Sequence, residues 1–377
     1  MPSNHERALD ALSRRGRLRA LERAQGLDFT SNDYLGLAQS RELGDAVAAA
    51  IARGVPVGAG GSRLLRGNHL EHEALEREAA DFFGGETALY FGGGFIANTA
   101  LLATLPARGD LIIYDALIHA SAHEGMRLSK AEAKAVRHND AQGFDDAIKA
   151  WRASGGTGQA WIVIESLYSM DGDVAPITEL ALIADRHDAM LIIDEAHATG
   201  VFGPDGRGLA AHLEGRENVI TMHTCGKALG AMGALVIAPR TLRDFLVNRG
   251  RAFIYATAPS PLMAAAVRAA LVICRNDPER RETLHKRIAF ASRALTTKTR
   301  FAASGSQILP LIVGSDGDAV HLATAMKNRG YDIRAIRPPT VPEGTSRLRL
   351  TITLNVTEAD ITHLVDELAA AEAETAA

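Results

Sequence analysis

The feature that most constrains the fold is an alternation of short apolar runs with helix-length amphipathic segments between residues 71 and 238. This pattern is typical of βαβ crossover units, which build a mostly parallel sheet covered by helices. The sequence therefore predicts an α/β architecture. The predicted strands are residues 88–91, 111–114, 160–165, 190–194, 219–224 and 234–238.

Polar or glycine residues follow the predicted strands where each one ends. Gly92, Glu165, Asp194 and Thr224 all hold such positions. Open α/β sheets bind ligands outside the carboxyl ends of their strands. We therefore expect these residues to meet in one cleft.

The length of the chain allows more than one domain. Its 377 residues, 47% of them hydrophobic, are enough for one large core and a second, smaller one. After residue 261 a long helical stretch is followed by predicted strands at 307–313 and 347–353, and helical spacing returns at 358–377. We predict an N-terminal segment at 1–45, a large domain at 46–260 and a small C-terminal α/β domain at 261–377.

Composition excludes several classes of partner. A net charge of -4 and a pI near 6.4 provide no global field toward nucleic acid or an anionic membrane, and the apolar runs fall short of the roughly 20 residues that span a bilayer. Cys225 and Cys274 lack metal or disulfide spacing, which predicts two free thiols, no metal site and a cytoplasmic protein. The arginines of the first 23 residues alternate with acidic residues and predict a solvated basic helix rather than a presequence.

Lys227 is the first candidate for chemistry. It lies among small residues just beyond a predicted strand, where a desolvated amine can become a nucleophile toward an aldehyde. A lysine in a surface loop would give the same pattern, so the residues predicted to lie near Lys227 are needed to distinguish the two interpretations. The segment lacks the glycine and hydroxyl positions of a Walker A loop, which argues against a helicase even though Asp194 to His197 spell a helicase box.

Asp194 and His197 are the neighbours that favour an aromatic cofactor. An aspartate delivered by a buried strand can pair with a pyridinium nitrogen, and His197 can hydrogen-bond a phenolic oxygen. His119 follows another strand and can stack on a ring, although single histidines are often structural. Ser169 lies in a loop after a strand, where it either caps the loop or contacts a ligand.

A glycine turn at residues 92–94 leads from a predicted strand into a predicted helix. Free backbone amides at such a helix start can receive a phosphate. The turn does not match the dinucleotide fingerprint G-x-G-x-x-G, and a tight packing turn would look the same. Phosphate binding is therefore an expectation that depends on the rest of the site.

Taken in order, these motifs resemble the α-oxoamine synthases, which are pyridoxal phosphate (PLP) enzymes of fold type I. The resemblance covers nearly the whole chain, including residues 31–37, 58–63, 169–173 and 255–257. It implies a large domain with a mostly parallel sheet, a smaller C-terminal domain and PLP as the cofactor. It also implies condensation of an amino acid with an acyl thioester and release of carbon dioxide.

The ending at residues 335–350 is most similar to the branch of this family that serves biotin synthesis. The implied reaction joins L-alanine to a pimeloyl thioester and yields 8-amino-7-oxononanoate. The thioester donor is either CoA or a carrier protein. Another α-oxoamine synthase, using glycine or a different acyl group, is the alternative, because residues 64–69 lie in a region that differs among members. A silent structural subunit is a second alternative, and the presence of Lys227 argues against it.

The resemblance implies a role for each matching position. Lys227 would hold PLP as a Schiff base and move the α-proton of alanine, and His119 would stack on the ring and donate a hydrogen bond to the thioester oxygen. The implied catalytic residues are Lys227, His119, Asp194 and His197. The implied cofactor contacts are Gly94, Phe95, His119, Ser169, Asp194, His197, Thr224, Lys227 and, from a partner subunit of a homodimer, Thr257. The implied substrate contacts are Arg19, Asn32, Thr340 and Arg349. The stretch between Arg19 and Phe29 is short for the family, so we expect a reduced N-terminal sheet.

Overall fold

The computed structural model describes residues 3–376, which form two compact units. The larger unit comprises Leu35–Ser169 and Val174–Arg281. The smaller unit comprises the described part of Met1–Tyr34, Met170–Asp173 and Glu282–Ala377. This division falls at residues 34 and 281, near the boundaries after residues 45 and 260 that the sequence suggests, and the assignment of domains stays a prediction.

The larger unit is built on a seven-stranded sheet. Counting strands along the whole chain, its members are β2 Thr87–Phe91, β3 Leu111–Asp115, β4 Glu132–Val136, β5 Ala160–Glu165, β6 Met190–Asp194, β7 Val219–Thr224 and β8 Ala234–Ala238. Their order is β2-β8-β7-β6-β5-β3-β4, and β8 runs antiparallel to both of its neighbours while the other pairs are parallel. The predicted α/β architecture and six of these strands are confirmed, whereas β4 was not predicted.

Helices cover both faces of this sheet. They are α2 Arg41–Ala52, α3 Leu70–Phe83, α4 Gly94–Thr104, α5 Ala120–Leu128, α6 Ala141–Ala153, α7 Ile177–Arg186, α8 Arg240–Arg249, α9 Arg251–Ile254 and α10 Pro261–Asn276. Successive residues of a strand point to opposite faces. Ile162 and Ile193 therefore pack in the core beneath α6 and α7, and Val163 and Ile192 pack in the core beneath α4 and α5.

The smaller unit has two small sheets. In one, β1 Leu27–Asp28 pairs in parallel with β10 Tyr331–Asp332, so the N-terminal strand is only two residues long. In the other, β9 Ile308–Gly314, β11 Arg334–Ile336 and β12 Ser346–Thr351 form an antiparallel sheet in the order β11-β12-β9. Its helices are α1 Asn4–Arg14, α12 Asp316–Asn328, α13 Glu358–Ala376 and most of α11 Pro278–Lys298.

Two other predictions concern the N-terminus and the cysteines. α1 buries none of its residues, as expected of a solvated helix, but it ends at Arg14, so the predicted helix does not extend to Arg17, Arg19 and Arg23. Cys225 and Cys274 are both buried free thiols, as predicted. None of the helices between residues 3 and 376 combines the length and apolar character needed to cross a bilayer. Residue 377, the last of the predicted C-terminal helix, lies outside the described residues.

Candidate active site

The carboxyl ends of the parallel strands in the larger unit open into a cavity of about 160 Å³. Glu165, Asp194 and Thr224 meet here as the sequence predicts, because strand ends deliver side chains to one edge of the sheet, whereas Gly92 does not line the cavity. The residues around it are Gly94, Phe95, Asn98, His119, Ser121, Glu165, Asp194, Ala196, His197, Met222, Thr224 and Lys227. Seven of these were predicted as site residues from the sequence.

Lys227 and His197 contact each other in this cavity. The Lys227 Nζ atom lies 2.7 Å from His197 Nε2. The loop that carries Lys227 is closed by a hydrogen bond from Gly230 N to Lys227 O. Gly230 has a φ of 63°, and a Cβ there would lie 2.5 Å from Ala38 N, so only glycine fits this turn. The tight loop fixes the direction from which the lysine amine enters.

Asp194 lies at the end of β6 and is 8% exposed. Its Oδ1 accepts a hydrogen bond from Ala196 N at 2.9 Å, and its Oδ2 accepts one from Asn98 Nδ2 at 2.7 Å. Donors of this kind stabilise the ionised carboxylate. Each oxygen keeps acceptor capacity for a ligand. Asp194 can therefore pair with a protonated ring nitrogen.

Glu165 is a second buried carboxyl at the same edge. It lies beside Asp194 in the register of β5 and β6, and its Oε2 accepts a hydrogen bond from Ser169 N at 3.1 Å. Burial, together with the negative charge of Asp194, raises the pKa of Glu165 to about 8. At neutral pH Glu165 therefore holds a proton.

His119 is the N-cap residue of α5. Its Nδ1 lies 2.8 Å from Ser121 Oγ and accepts a hydrogen bond from Ser121 N at 3.2 Å. Desolvation lowers the pKa of His119, and the charge of Lys227 lowers it further, against the opposing effect of Asp194. The imidazole is therefore neutral at physiological pH, and Nε2 is the nitrogen left to carry its proton.

The N-terminus of α4 forms the opposite wall of the cavity. Its N-cap residue, Gly93, provides no side-chain acceptor, so the first amides of the helix are available to an anion. A Cβ added at Gly94 would lie 3.6 Å from Thr224 Oγ1, so this hydroxyl lies beside the first turn. The arrangement suits a phosphate group.

Ser169 and Thr257 lie outside the residues that surround the cavity. Ser169 is buried and contacts the site through its backbone amide, which donates to Glu165. Thr257 is exposed, and the next residue, Ala258, donates from its amide to Gly61 O at 2.9 Å.

The predicted substrate residues all belong to the smaller unit, where they form two groups. Arg19 Nη2 donates to Thr340 Oγ1 at 3.1 Å. Separately, Asn32 Oδ1 accepts a hydrogen bond from Tyr34 OH at 3.1 Å, and the positive charge of Arg349 acts on the same tyrosine. The Arg349 guanidinium is 7% exposed and donates to Thr351 Oγ1 at 3.0 Å.

Sequence reasoning missed three polar residues of the cavity, namely Asn98, Ser121 and Glu165. Each lies inside or next to a motif that the sequence did single out. Glu165 was noted only as a strand end. Glu165 itself ends a predicted strand, and Asn98 and Ser121 follow predicted site residues within three positions. The sequence marks these positions but not the contacts that the side chains make.

The fold and this cavity define an α/β enzyme that binds its ligand at strand carboxyl ends, beside a lysine amine. The chain belongs to the aminotransferase class I and II family, whose model matches residues 24–368.

Three similar proteins show which enzymes of this class the chain is similar to. An 8-amino-7-oxononanoate synthase from Chromobacterium violaceum is 42% identical over 358 residues, which cover 91% of this chain and 92% of the relative. The solved 8-amino-7-oxononanoate synthase of Francisella tularensis matches with a TM-score of 0.79 and 26% identity, over 93% of this chain and 99% of that one. A serine palmitoyltransferase variant from S. paucimobilis, solved with a PLP–myriocin aldimine, matches with a TM-score of 0.86 and 26% identity, over 93% and 88% of the two chains. The predicted fold and family resemblance are confirmed.

Proposed function

We propose that this chain is a PLP-dependent acyltransferase that makes 8-amino-7-oxononanoate for biotin biosynthesis. It joins L-alanine to a pimeloyl thioester and releases carbon dioxide and the free thiol. The observation that carries the proposal is the 42% identity, over 91% of the chain, to a protein with this named activity. The chemistry of the cavity supports it independently.

The residues present fit PLP group by group. PLP carries an aldehyde, a pyridine nitrogen, a phenolic oxygen and a phosphate, which match in turn Lys227, Asp194, His197 and the uncapped start of α4. Phe95 and Gly94 supply the first amides of that helix, and Thr224 adds a hydroxyl. When bound, PLP supplies an electron sink that stabilises negative charge at the amino acid Cα.

Lys227 would both hold the cofactor and move a proton. Its contact with His197 Nε2 is a hydrogen bond in which one nitrogen donates and the other accepts. Once its charge is lost, the amine would act as a base toward the α-proton of alanine. Asp194 accepts hydrogen bonds from two donors, which hold its carboxyl group in place for the ring nitrogen.

His119 would act on the second substrate. Its neutral ring keeps a proton on Nε2, which can donate to the thioester oxygen as negative charge develops there. The same flat ring suits stacking on a pyridine. Ser169 would contact PLP near its phenolic oxygen.

The substrate carboxylates are assigned to residues of the smaller unit. The Arg349 guanidinium provides the fork geometry that carboxylates prefer, and Asn32 lies in the same group of contacts through Tyr34. Arg19 and Thr340, which already contact each other, would bind a further polar group.

The active form would be a homodimer in the cytoplasm. Thr257 is exposed and does not line the cavity of its own chain, which supports a role at the site of a partner subunit. The buried free thiols suit a reducing compartment. We expect sedimentation to give the mass of a dimer at every protein concentration tested. Conditions that dissociate the dimer should also abolish activity.

Product analysis tests the proposed function directly. Purified protein loaded with PLP is given L-alanine with pimeloyl-CoA or a pimeloyl carrier protein, and in parallel glycine with acetyl-CoA or succinyl-CoA. We expect 8-amino-7-oxononanoate by mass spectrometry from an alanine reaction. Efficient formation of 2-amino-3-oxobutanoate or 5-aminolevulinate, with no 8-amino-7-oxononanoate, would instead assign the chain to another α-oxoamine synthase.

A further inference from the structure

A continuous chain of hydrogen bonds joins Asp194 to His119. Asn98 Nδ2 lies 2.7 Å from Asp194 Oδ2 and 3.0 Å from Ser121 Oγ, and Ser121 Oγ lies 2.8 Å from His119 Nδ1. Asn98 is 5% exposed and Ser121 is 0% exposed, so bulk water does not compete for the bond between them, whereas His119 at the end of the chain of bonds is exposed. Asn98 and Ser121 contribute to the steps proposed above only through their bonds to Asp194 and His119.

Chemistry fixes the direction of donation along this chain. An ionised carboxylate only accepts, so the Asn98 atom that faces Asp194 is its amide nitrogen, which has a second hydrogen for Ser121 Oγ. The single hydroxyl hydrogen of Ser121 is then directed to His119 Nδ1. The Ser121 backbone N–H, which can only donate, points to the same nitrogen at 3.2 Å. Nδ1 is therefore an acceptor, and the imidazole proton is on Nε2.

The same chain distinguishes the two buried carboxyls. Asp194 and Glu165 are neighbours in register, and two like charges this close resist ionising together. Asp194 accepts from the Asn98 side chain as well as from Ala196 N, whereas Glu165 accepts from backbone amides alone. Asn98 therefore favours Asp194 as the residue that carries the negative charge.

We propose that Asn98 and Ser121 are positioning residues that act at the two ends of one hydrogen-bond chain. Asn98 orients the Asp194 carboxyl group and donates to it, and Ser121 keeps His119 in the tautomer that presents its Nε2 proton. The two ends serve different steps, because Asp194 supports removal of the α-proton and His119 supports attack on the thioester. This inference rests on the proposed function.

The two steps can be measured separately in the PLP-loaded protein. Exchange of the alanine α-proton in D₂O, without an acyl donor, reports the first step, and product formation with pimeloyl-CoA reports both. Ser121→Ala is expected to lower kcat for product about tenfold and to leave exchange within about twofold of wild type, because it removes a donor to His119 while Asn98 keeps its bond to Asp194. Ser121→Thr, which keeps the hydroxyl, is expected to restore product formation.

Asn98→Leu serves as the contrasting variant. It removes the donor to Asp194, so exchange and product formation are both expected to fall, by at least about tenfold. Ser129→Ala, at the other end of α5, is the matched control and is expected to change neither rate. If Ser121→Ala lowers exchange and product formation by the same factor, or lowers neither, the residue is only structural and the proposal is wrong.

The tautomer provides a readout that does not depend on turnover. In ¹⁵N-histidine-labelled protein, with the signal assigned by His119→Gln, we expect His119 to show a bare Nδ1 and a protonated Nε2 at neutral pH. A proton on Nδ1 would overturn the proposal. A wild-type protein that makes no product from alanine and pimeloyl-CoA would instead contradict the proposed function, and the tautomer measurement would still judge Ser121.

Discussion

Lys227 Nζ and His197 Nε2 lie 2.7 Å apart, so a hydrogen bond joins the amine to the imidazole in the cavity. Both residues line the cavity together with Glu165, Asp194 and Thr224, which end β5, β6 and β7. The proposed function depends on Lys227 as its nucleophile and base.

Lys227→Ala is expected to abolish the covalent link to the cofactor. Wild-type protein with PLP should be yellow, and borohydride reduction should leave a pyridoxyl group on the peptide that contains Lys227. The variant should lose this label and at least about a thousandfold in product formation, because no other amine lines the cavity among the described residues. Lys130→Ala, on an exposed turn, is the control. A variant that still carries the label would refute the assignment.

Thr224→Val tests the phosphate site at the start of α4. The change removes a hydroxyl but keeps the shape of the side chain, so PLP affinity is expected to fall about tenfold or more through loss of a hydrogen bond to a charged group. Equilibrium dialysis of PLP measures the effect. Thr224→Ser should bind nearly as well as wild type. Equal affinities for the valine variant and wild type would show that the hydroxyl does not contact the phosphate.

Glu165→Gln tests the buried carboxyl through the pH dependence of stability. Burial raises the pKa of Glu165 from 4.5 to about 8, so between these values the folded chain holds a proton that the unfolded chain has released. The free energy of unfolding from this group therefore falls as pH rises from about 5 to 8. Glutamine has no proton to release. The free energy of unfolding of the variant should therefore rise relative to that of wild type across this window, by on the order of a few kcal/mol at pH 8.

Urea unfolding of the apoprotein at pH 5, 6, 7 and 8 measures this difference. Glu179→Gln, an exposed glutamate on α7, is the control and should follow wild type at every pH. Glu195, whose pKa burial raises to about 7, contributes equally to all three proteins and cancels in the comparison. Parallel curves for wild type and Glu165→Gln would mean that Glu165 is ionised in the folded state.

Most of the central sheet could be predicted from the sequence because its strands are buried on both faces and appear as short apolar runs. β4 is the exception, since it is an edge strand and only Val136 of its five residues is buried. Such a strand has no apolar run to detect. The small unit also includes Met170–Asp173, where Asp171 pairs with Arg347 from a distant part of the chain. No local sequence pattern predicts that pairing.

The candidate site, like the fold, could be predicted from the sequence only in part. Lys227, Asp194 and His197 could be predicted because their chemistry follows from residue type and a position after a strand. Asn98 and Ser121 could not, because their importance lies in which side chains meet where α4 and α5 approach each other. Spacing along the sequence does not encode that contact.

The central claim is a condensation that loses the carboxyl carbon of alanine, and isotope release tests it most directly. PLP-loaded protein is given [1-¹³C]-L-alanine and pimeloyl-CoA, and ¹³CO₂ and 8-amino-7-oxononanoate are quantified together, with Lys227→Ala as the blank. The account predicts one ¹³CO₂ for each molecule of unlabelled product, and neither from the variant. Product that retains the label, or turnover of alanine without loss of ¹³CO₂, would contradict it.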